Sequence, residues 1–281
     1  MGKNKNMNKV KILVCCHKPD KFMSDNVYMP IQVGKAKSKF DLGIQGDNEG
    51  DNISIENPHF CELTGLYWAW KNMNPVEYIG LCHYRRYFNF HTNGSAFTDS
   101  TIIKTSDFGK LDLSVPDVDK IFKKYDIVLS RPKCYPCSLF YDYSSCHVSE
   151  DLRELEKVVT EISPEYVDAF RKVFYKNNKL SHYNMMIMRW GDFNEYCKWL
   201  FDVLFEVKKR INIENYNIVQ GRIFGYMSER LLMVFVLKKQ MRIKHYPIFW
   251  INDDIQQRSL INRAQHFFRY NLAFILQRPY K

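Results

Sequence analysis

Short apolar runs alternate with longer stretches of helical periodicity along most of the chain, and this alternation predicts the order of its elements. Residues 10–16 and 77–82 are compact apolar runs, typical of buried strands. Between them, apolar residues recur at the spacing of one helix face over 63–70, after the helix-start signal Asn57-Pro58. The same reasoning predicts strands at 126–130, 185–188 and 241–246, and helices at 116–125, 150–162, 164–177, 191–210 and 221–238.

The order strand, helix, strand in the first half indicates an α/β fold. We expect a doubly wound, mostly parallel sheet with helices on both faces, formed within one domain of residues 1–254. Residues 20–58 are rich in Asp, Asn, Gly and Pro and predict loops with short elements. Residues 89–115 predict an irregular excursion, and residues 132–149 a loop rich in Tyr and Cys.

The end of the chain, residues 255–281, is predicted to carry a basic amphipathic helix. Such a helix is typical of membrane-surface binding, but docking on its own domain is equally compatible with the pattern. The predicted apolar side comprises Leu260, Ile261, Ala264, Phe267, Phe268, Leu272 and Ile275, and the cationic side comprises Arg258, Arg263, His266 and Arg269.

Composition narrows the expected partners to anionic ones. The 281 residues include 41 Lys and Arg against 31 Asp and Glu, a net charge of +10, which favours nucleic acid, an acidic lipid surface or a phosphorylated substrate. The charge is spread along the chain, which favours a membrane-facing side over a DNA-reading helix. Eight cysteines without a secretory signal, and no stretch of membrane-span length, predict a cytoplasmic protein that is at most peripheral to a membrane.

The strongest chemical signal is His83-Tyr84-Arg85-Arg86, directly after the second predicted strand. Ligands of open α/β sheets bind at the carboxyl ends of strands, and guanidinium groups suit phosphate oxygens. We therefore interpret Arg85 and Arg86 as neutralising the charge of a departing phosphate. The alternative is that both arginines pair with carboxylates and tie the strand to a loop. His17, after the first strand, is expected to face the same site.

Polar and aromatic residues around the first predicted helix are candidate sugar contacts. Asp47, Asp51 and Asn52 are predicted to contact ribose or the donor sugar, with turn and cap chemistry as the alternative. Glu62 and Trp68 are predicted to line the cleft, Trp68 as a stacking platform. For Trp68 the alternative is a second buried face of an internal helix.

Glu229 and Arg230 stand on a predicted helix that otherwise consists largely of apolar residues. A carboxylate in such surroundings is either paired, with Arg230 or another neighbour, or is a base with a raised pKa. We interpret Glu229 as the base that deprotonates an acceptor hydroxyl, and Arg230 as a substrate-binding residue. Asp253-Asp254 is a competing carboxylate pair.

Two patterns suggest metal sites, and neither is adopted. The CxxC at 134–137 with Cys146-His147 could furnish four zinc ligands, but a second CxxC is missing and a tight proline turn explains the first. The Asp-x-Asp at 117–119 lies at a predicted helix start, where acids are expected for dipole reasons. No resident metal or cofactor is therefore predicted.

Three segments together resemble a known bacterial family. They are GDNISIENPHFCELTGLYWAWKN, EYIGLCHYRRYF, and HYNMMIMRW with the later GRIFGYMSERLL. The family occurs in capsule, exopolysaccharide and O-antigen clusters, was long catalogued as a domain of unknown function, and is regarded as glycosyltransferases of GT-A-like fold. The resemblance runs from about Lys11 to Leu237 and leaves out the tail after Asp254.

The resemblance implies transfer of a sugar from a nucleotide-diphosphate donor to a saccharide acceptor, often a lipid-linked one. Some members are described as galactofuranosyltransferases, which makes UDP-galactofuranose the preferred donor. Enzymes of GT-A fold usually carry Asp-x-Asp just after the strand that matches residues 78–82, where this chain has His83-Tyr84-Arg85. The departure puts metal dependence in doubt and suggests that Arg85 and Arg86 replace the charge of the metal.

A rival hypothesis remains open from the sequence, namely a non-catalytic basic module that binds nucleic acid or anionic lipid. The two hypotheses differ in their ligands. The enzyme requires a nucleotide-sugar donor and no nucleic acid, whereas the module predicts salt-dependent binding without nucleotide preference.

Overall fold

The computed structural model describes residues 9–92 and 97–276. Within these residues lie twelve strands and nine α-helices. The strands are β1 Val10–Cys16, β2 Tyr28–Gln32, β3 Gln45–Gly46, β4 Tyr78–His83, β5 Arg86–Phe88, β6 Ser100–Ile103, β7 Ile127–Ser130, β8 Lys133–Cys134, β9 Lys179–Leu180, β10 Met186–Arg189, β11 Ile243–Tyr246 and β12 Ile248–Ile251. The helices are α1 Asn57–Phe60, α2 Leu63–Asn72, α3 Val118–Phe122, α4 Leu139–Cys146, α5 Ser149–Ile162, α6 Val167–Lys176, α7 Trp190–Arg210, α8 Ile223–Lys238 and α9 Leu260–Leu276.

Ten of the described strands form one mixed, mostly parallel sheet, which confirms the predicted α/β fold. The central path runs β11-β7-β10-β4-β1-β2-β3. β1 pairs in parallel with β2 and β4, whereas β10 lies antiparallel between β4 and β7. From β4 the sheet continues through a tight turn into β5, then to β12 and β6. The remaining two short strands, β8 and β9, pair separately.

Both faces of the sheet are buried. Alternate residues of β1 point to opposite sides, so Leu13 and Cys15 join one hydrophobic cluster while Ile12 and Val14 join the other. Helices α2 and α4–α8 cover the first face, and α3 with ordered loops covers the second. This arrangement explains why β1 is almost continuously apolar, as is typical of strands in α/β proteins.

The helix predicted after Asn57-Pro58 is broken. Cys61 adopts φ +51°, a conformation that side-chain-bearing residues rarely adopt, and this residue separates α1 from α2. The break places Glu62 at the first turn of α2 instead of in the middle of a helix. Because a continuous helix would direct residue 62 elsewhere, this kink is important for the site described below.

Other differences concern segments predicted as irregular. The loop predicted at 132–149 contains α4, whose first turn is capped by the Ser138 hydroxyl accepting from the Tyr141 N–H. Residues 20–58 contain β2, and residues 89–115 contain β6. β2 holds Pro30, which lowers the strand signal, but the neighbouring β3 pairs only with Ile31 and Gln32.

The C-terminal helix α9 docks on the domain through Arg263 of its predicted cationic side and Phe267 of its predicted apolar side. Arg263 donates to the Ser100 carbonyl oxygen, and Phe267 packs against Phe97. The opposite side faces outward, with Phe268 61% and Leu272 57% exposed. Of the predicted apolar side, Leu260, Ile261, Phe268, Leu272 and Ile275 are exposed, together with Leu276. Domain docking and an exposed apolar face, treated as alternatives from the sequence, therefore occur together.

Residues 1–8 and the end of the predicted tail, residues 277–281, lie outside the described residues. Within the described part of the chain, no helix is long and apolar enough to cross a membrane.

Gly80 in β4 provides a test of the strand packing that positions the site. A Cβ at Gly80 would lie 2.8 Å from both the Met186 carbonyl oxygen and Ile187 Cγ1. Because the carbonyl belongs to the paired strand β10, we expect Gly80→Ala to lower the free energy of unfolding by about 2 kcal/mol. The matched control Gly191→Ala, with nothing within 4 Å, should be neutral or stabilising by up to about 1 kcal/mol. Denaturant titration measures both variants, and unchanged stability of Gly80→Ala would contradict the close packing of β4 on β10.

Candidate functional site

The carboxyl ends of β1 and β4 open onto a cavity of about 990 Å3. His17 follows β1, and the turn at 83–86 follows β4. The other wall is formed by the first turns of α8 and by the turn between β9 and β10. Eight residues predicted from the sequence line this cavity, namely His17, Glu62, His83, Tyr84, Arg85, Arg86, Glu229 and Arg230.

The two neighbouring arginines have different surroundings. His83 pairs with Arg86 across the tight turn between β4 and β5, so Arg85 lies on the turn. The Arg85 Nε donates to Asp20 Oδ2 at 2.6 Å, in an ion pair with Asp20 on the loop after β1. Arg85 therefore ties the strand end to a loop, as predicted by the alternative in which the arginines pair with carboxylates.

Arg86 faces the cavity, and no carboxylate of residues 9–92 or 97–276 forms an ion pair with it. Its guanidinium carbon lies 4.2 Å from the ring centre of Tyr183 and 5.4 Å from that of Trp250. Its buried Nε has no hydrogen-bond partner within the described residues. A buried guanidinium donor that is left unsatisfied is costly, so the geometry favours an anionic or carbonyl acceptor from a ligand.

His83 is neutral beside this guanidinium. Burial, with repulsion from Arg86, lowers the pKa of His83 to about 3. Nε2 lies 2.8 Å from the Tyr183 carbonyl oxygen, and since a carbonyl only accepts, Nε2 carries the proton. His17 stands edge-on to Tyr84 with ring centres 5.3 Å apart, and burial together with nearby cations also lowers the pKa of His17. Both imidazoles are therefore uncharged hydrogen-bonding groups at neutral pH.

Glu229 uses both carboxylate oxygens to hold the turn before β10. Oε2 lies 3.2 Å from His182 Nδ1, and Oε1 accepts from the Tyr183 N–H at 2.6 Å. Burial alone would raise the pKa of Glu229, but its attraction to His182, its hydrogen bonds and Arg230 lower the pKa below the usual value. Tyr183 and Asn184 adopt φ +71° and +52°, so this carboxylate supports a strained turn.

Arg230 is held at the cavity wall by an ion pair with another lining residue. Its Nη2 donates to Asp142 Oδ2 at 2.9 Å, and Nη1 donates to the Tyr226 carbonyl oxygen. The side chain is 4% exposed. Glu229 and Arg230 are therefore both paired, as one of the two interpretations from the sequence predicted. Their partners are not each other, because Glu229 pairs with His182 and Arg230 pairs with Asp142.

Glu62 is the carboxyl group in the cavity with a strongly perturbed titration. Burial and repulsion by Glu229 raise the pKa of Glu62 to about 7, although hydrogen bonding to Asn184 and the charge of Arg222 oppose the shift. Asn184 Nδ2 donates to Glu62 Oε1 at 2.8 Å and to Ser228 Oγ at 2.9 Å, which fixes the orientation of the carboxyl. A carboxyl with a pKa near neutrality is suited to proton transfer.

Four predicted sugar-contact residues do not line the cavity. Asp47 is fully buried and accepts from the Gly34 and Lys35 N–H groups and from the Ser54 hydroxyl. Asp51 accepts from the Tyr67 hydroxyl, and Asn52 forms a turn with the Ser54 N–H. These three residues stabilise the loop by turn chemistry, the alternative given above.

Trp68 is likewise corrected. It lies in the core on the helix-covered side of the sheet, 7% exposed, as expected for a second buried face of α2. It therefore offers no stacking platform to the cavity.

Sequence reasoning missed several cavity residues on α8 and the turn before β10. Arg222, Tyr226 and Glu229 lie at positions i, i+4 and i+7, the spacing of one helix face. This spacing in the sequence could have identified Arg222 and Tyr226 as neighbours of Glu229 in the cavity. Arg222 Nε donates to the Cys61 sulfur at 3.3 Å. His182 had no such signal, because its position depends on the strained turn that follows it.

The metal patterns do not assemble into sites. Within residues 9–92 and 97–276, no group of three or more His, Cys, Asp or Glu side chains could hold a metal ion. Cys146 and His147 line the cavity, whereas Cys134 lines a different one. Asp119 of the Asp-x-Asp forms an ion pair with Lys9.

Comparison with known proteins gives a family and a structural relative. A family model described as DUF4422, a domain of unknown function, matches residues 11–240, in agreement with the extent predicted from the sequence. A solved apo structure of the bifunctional glycosyltransferase WbbM is similar, with a TM-score of 0.75 and 28% identity over 90% of this chain and 48% of that one. The chain thus spans about half the length of this relative. No curated protein matches it significantly.

Proposed function

Since the chain belongs to the DUF4422 family, and since its fold matches that of a glycosyltransferase, we propose that it transfers a sugar from a nucleotide-diphosphate donor to a saccharide acceptor. The observation that carries the proposal is the presence of two groups in one cavity. They are the Arg86 guanidinium, whose buried Nε has no hydrogen-bond partner among the described residues, and the Glu62 carboxyl, whose pKa is about 7. A nucleophilic displacement of a phosphate needs both, because one group must accept a proton and another must stabilise the leaving charge.

Arg86 is the proposed principal contact to the donor diphosphate. As the bond between the anomeric carbon and the diphosphate oxygen breaks, negative charge collects on the nucleoside diphosphate, next to this guanidinium. Arg222 lies in the same cavity and adds a second positive charge, whereas the charge of Arg85 is already partly offset by Asp20. Arg85 and Arg86 together are proposed to replace the charge of a divalent metal, and Arg86 is proposed to contribute the larger part of that charge stabilisation.

Glu62 is proposed as the base in place of Glu229. In an inverting displacement the acceptor hydroxyl oxygen attacks the anomeric carbon, and its proton passes to the carboxylate. Glu229 is a poor acceptor for this proton because both of its oxygens already accept hydrogen bonds and its pKa is lowered. We retain Glu229 as a positioning residue for the turn that carries His182 and Asn184.

The proposed donor is UDP-galactofuranose, and the proposed acceptor is a saccharide of surface polysaccharide synthesis. Both proposals rest on the family resemblance of the sequence and on the similarity to a glycosyltransferase, not on a contact in the cavity. Turnover of a panel of nucleotide sugars, followed by linkage analysis of the product, tests them.

We also propose that α9 attaches the domain peripherally to the cytoplasmic membrane surface. Its outward side is apolar, and Arg258 and Arg269 beside it are exposed. An apolar helix face flanked by cations fits the interface of an anionic bilayer.

Nucleotide binding separates the enzyme from the basic module. UDP at about 100 times its Kd should stabilise the wild type by about 2.7 kcal/mol, seen as a rise in Tm of several degrees. Arg86→Ala should weaken UDP binding by roughly 10- to 100-fold, because a charge-assisted hydrogen bond contributes about 1.5–3 kcal/mol. Arg85→Ala should weaken UDP binding by less than Arg86→Ala does. Arg171→Ala, which changes a residue on the remote surface of α6, should leave UDP binding unchanged.

Two results would contradict this assignment. Tight DNA binding without any response to nucleotides would favour the rival module. Loss of transfer activity in the presence of a chelator would refute the proposal that arginines replace the metal.

The pH dependence of transfer tests Glu62. The rate should rise as the pH increases through about 7, because the base acts when ionised. Glu62→Gln should reduce the rate by about 10²- to 10⁴-fold.

Folding stability should follow the opposite trend. The pKa of Glu62 in the folded protein exceeds its pKa in the unfolded chain. The contribution of Glu62 to folding stability is therefore greatest below about pH 4.5, and it falls by about 3 kcal/mol as the pH rises through 7. Glu62→Gln should therefore gain stability relative to wild type at pH 8.

The control for this experiment is Glu229→Gln. The folded pKa of Glu229 is lowered, so its contribution to stability is present above the unfolded pKa and is lost in acid. We expect Glu229→Gln to lower Tm most at neutral pH. Full activity of Glu62→Gln, or an unchanged ascending limb of its pH profile, would exclude Glu62 as the base.

Vesicle flotation tests the membrane proposal. The wild type should bind vesicles containing phosphatidylglycerol and bind pure phosphatidylcholine at least tenfold more weakly. Phe268→Ser with Leu272→Ser should abolish binding, since both rest on the exposed side of α9. Ile162→Ser, which changes an exposed apolar residue at the end of α5, is the matched control and should bind normally. Equal binding by the double variant, or the absence of vesicle binding by the wild type, would refute the proposal.

A further inference from the structure

A second cavity of about 830 Å3 lies beside the first, with α9 as one wall. The two cavities share Tyr135, Asp142 and Trp250 as lining residues. The second cavity is strongly cationic. Its lining includes the side chains Arg131, Lys133, Lys179, Arg258 and Arg263, with Asp99 and Asp142 as its carboxylates.

The positive charge of this second cavity is only slightly compensated by the protein. Asp142 is already paired with Arg230 at 2.9 Å. The Arg263 guanidinium donates to the carbonyl oxygens of Arg258 and Ser100, which are neutral acceptors. Among the residues that the structure describes, Lys133, Lys179 and Arg263 form no ion pair with a carboxylate. Gathering like charges around one cavity is unfavourable unless an anion offsets them.

The orientation of α9 agrees with an anionic ligand in this cavity. A helix that docked only to bury its apolar side would turn Arg263 and His266 toward solvent. Here both line the cavity, whereas Phe268 and Leu272 are exposed. Arg263 and His266 of the predicted cationic side are therefore held inward, next to the other cations, while Arg269 stays exposed.

Aromatic side chains complete the lining and connect it with the first cavity. Phe97, Phe267 and Tyr270 line the part next to α9, a surface suited to an organic group. At the opposite end, the charged groups of Arg86 and Lys133 each lie 5.4 Å from the Trp250 ring centre. The Trp250 ring is thus contacted by one cation from each cavity.

We propose that the second cavity is an acceptor subsite that binds the phosphate groups of a phosphorylated organic acceptor. This inference rests on the proposed function, because the first cavity must then hold the donor. Even without Arg131, the four cations Lys133, Lys179, Arg258 and Arg263 against two carboxylates, one of them already paired, match a multiply charged group such as a diphosphate better than a single carboxylate. The acceptor's saccharide would extend past Trp250 toward Glu62.

Calorimetric titration of the full chain saturated with UDP tests the subsite, because UDP blocks the arginines of the first cavity. The probes are inorganic pyrophosphate and farnesyl diphosphate. Both should bind, with farnesyl diphosphate at least tenfold tighter owing to the aromatic lining. Lys179→Gln combined with Arg263→Gln should weaken both by at least tenfold and leave UDP binding unchanged. Lys198→Gln with Lys209→Gln removes the same charge from the remote surface of α7 and should have no effect.

Three results would overturn the subsite. They are no binding of either probe when UDP is saturating, an affinity insensitive to the Lys179 and Arg263 changes, and equal affinity for the two probes, which would indicate a site for free phosphate ions. Failure of the proposed function is distinguishable, because it appears in the first step as absent UDP binding. Circular dichroism of the double variant confirms that α9 is retained.

Discussion

The parallel pairing of β1 with β4 is the constraint on which the rest of the site depends. Six consecutive residue pairs, from Val10 with Tyr78 to Cys15 with His83, align the two strands in one direction. Their carboxyl ends therefore lie side by side, so that His17 and the turn at 83–86 meet at one edge of the sheet. Burial of both faces fixes the register, since a shift by one residue would exchange the two sides of each strand.

Burial then determines which groups at this edge carry charge. An arginine keeps its proton in almost any surroundings. The groups beside Arg86, and not Arg86 itself, therefore change their protonation in response to its positive charge. His83 beside it is held neutral. The two carboxyl groups differ for a similar reason. Glu229 has a histidine and a backbone N–H as partners, whereas Glu62 has an amide and a nearby like charge. One cavity thus contains two chemically identical groups with different proton affinities.

The sequence carried enough information for the central strands of the sheet and for part of the site. Apolar runs located β1, β4, β7 and β10, because buried strands need continuous apolar residues. The residues directly after β1 and β4 were placed correctly for the same reason. The role proposed for Glu62 could not be derived from the sequence, because it depends on the positive φ of Cys61, which no local signal demands. Asp47 was misassigned because a carboxylate that satisfies backbone N–H groups looks, in sequence, like one that binds a sugar.

The position of α9 has a consequence for how such a domain changes over evolutionary time. The family match ends at residue 240, whereas one wall of the second cavity is formed by residues 260–276. Part of the lining proposed to recognise the second substrate, including Arg263, therefore lies on a stretch of chain separate from the groups proposed for bond cleavage. Under the proposed function, replacing the terminal helix would alter which acceptors are recognised and leave the proposed catalytic groups in place. Selection could then vary acceptor recognition by changing a helix of 17 residues, without disturbing the sheet that positions those groups.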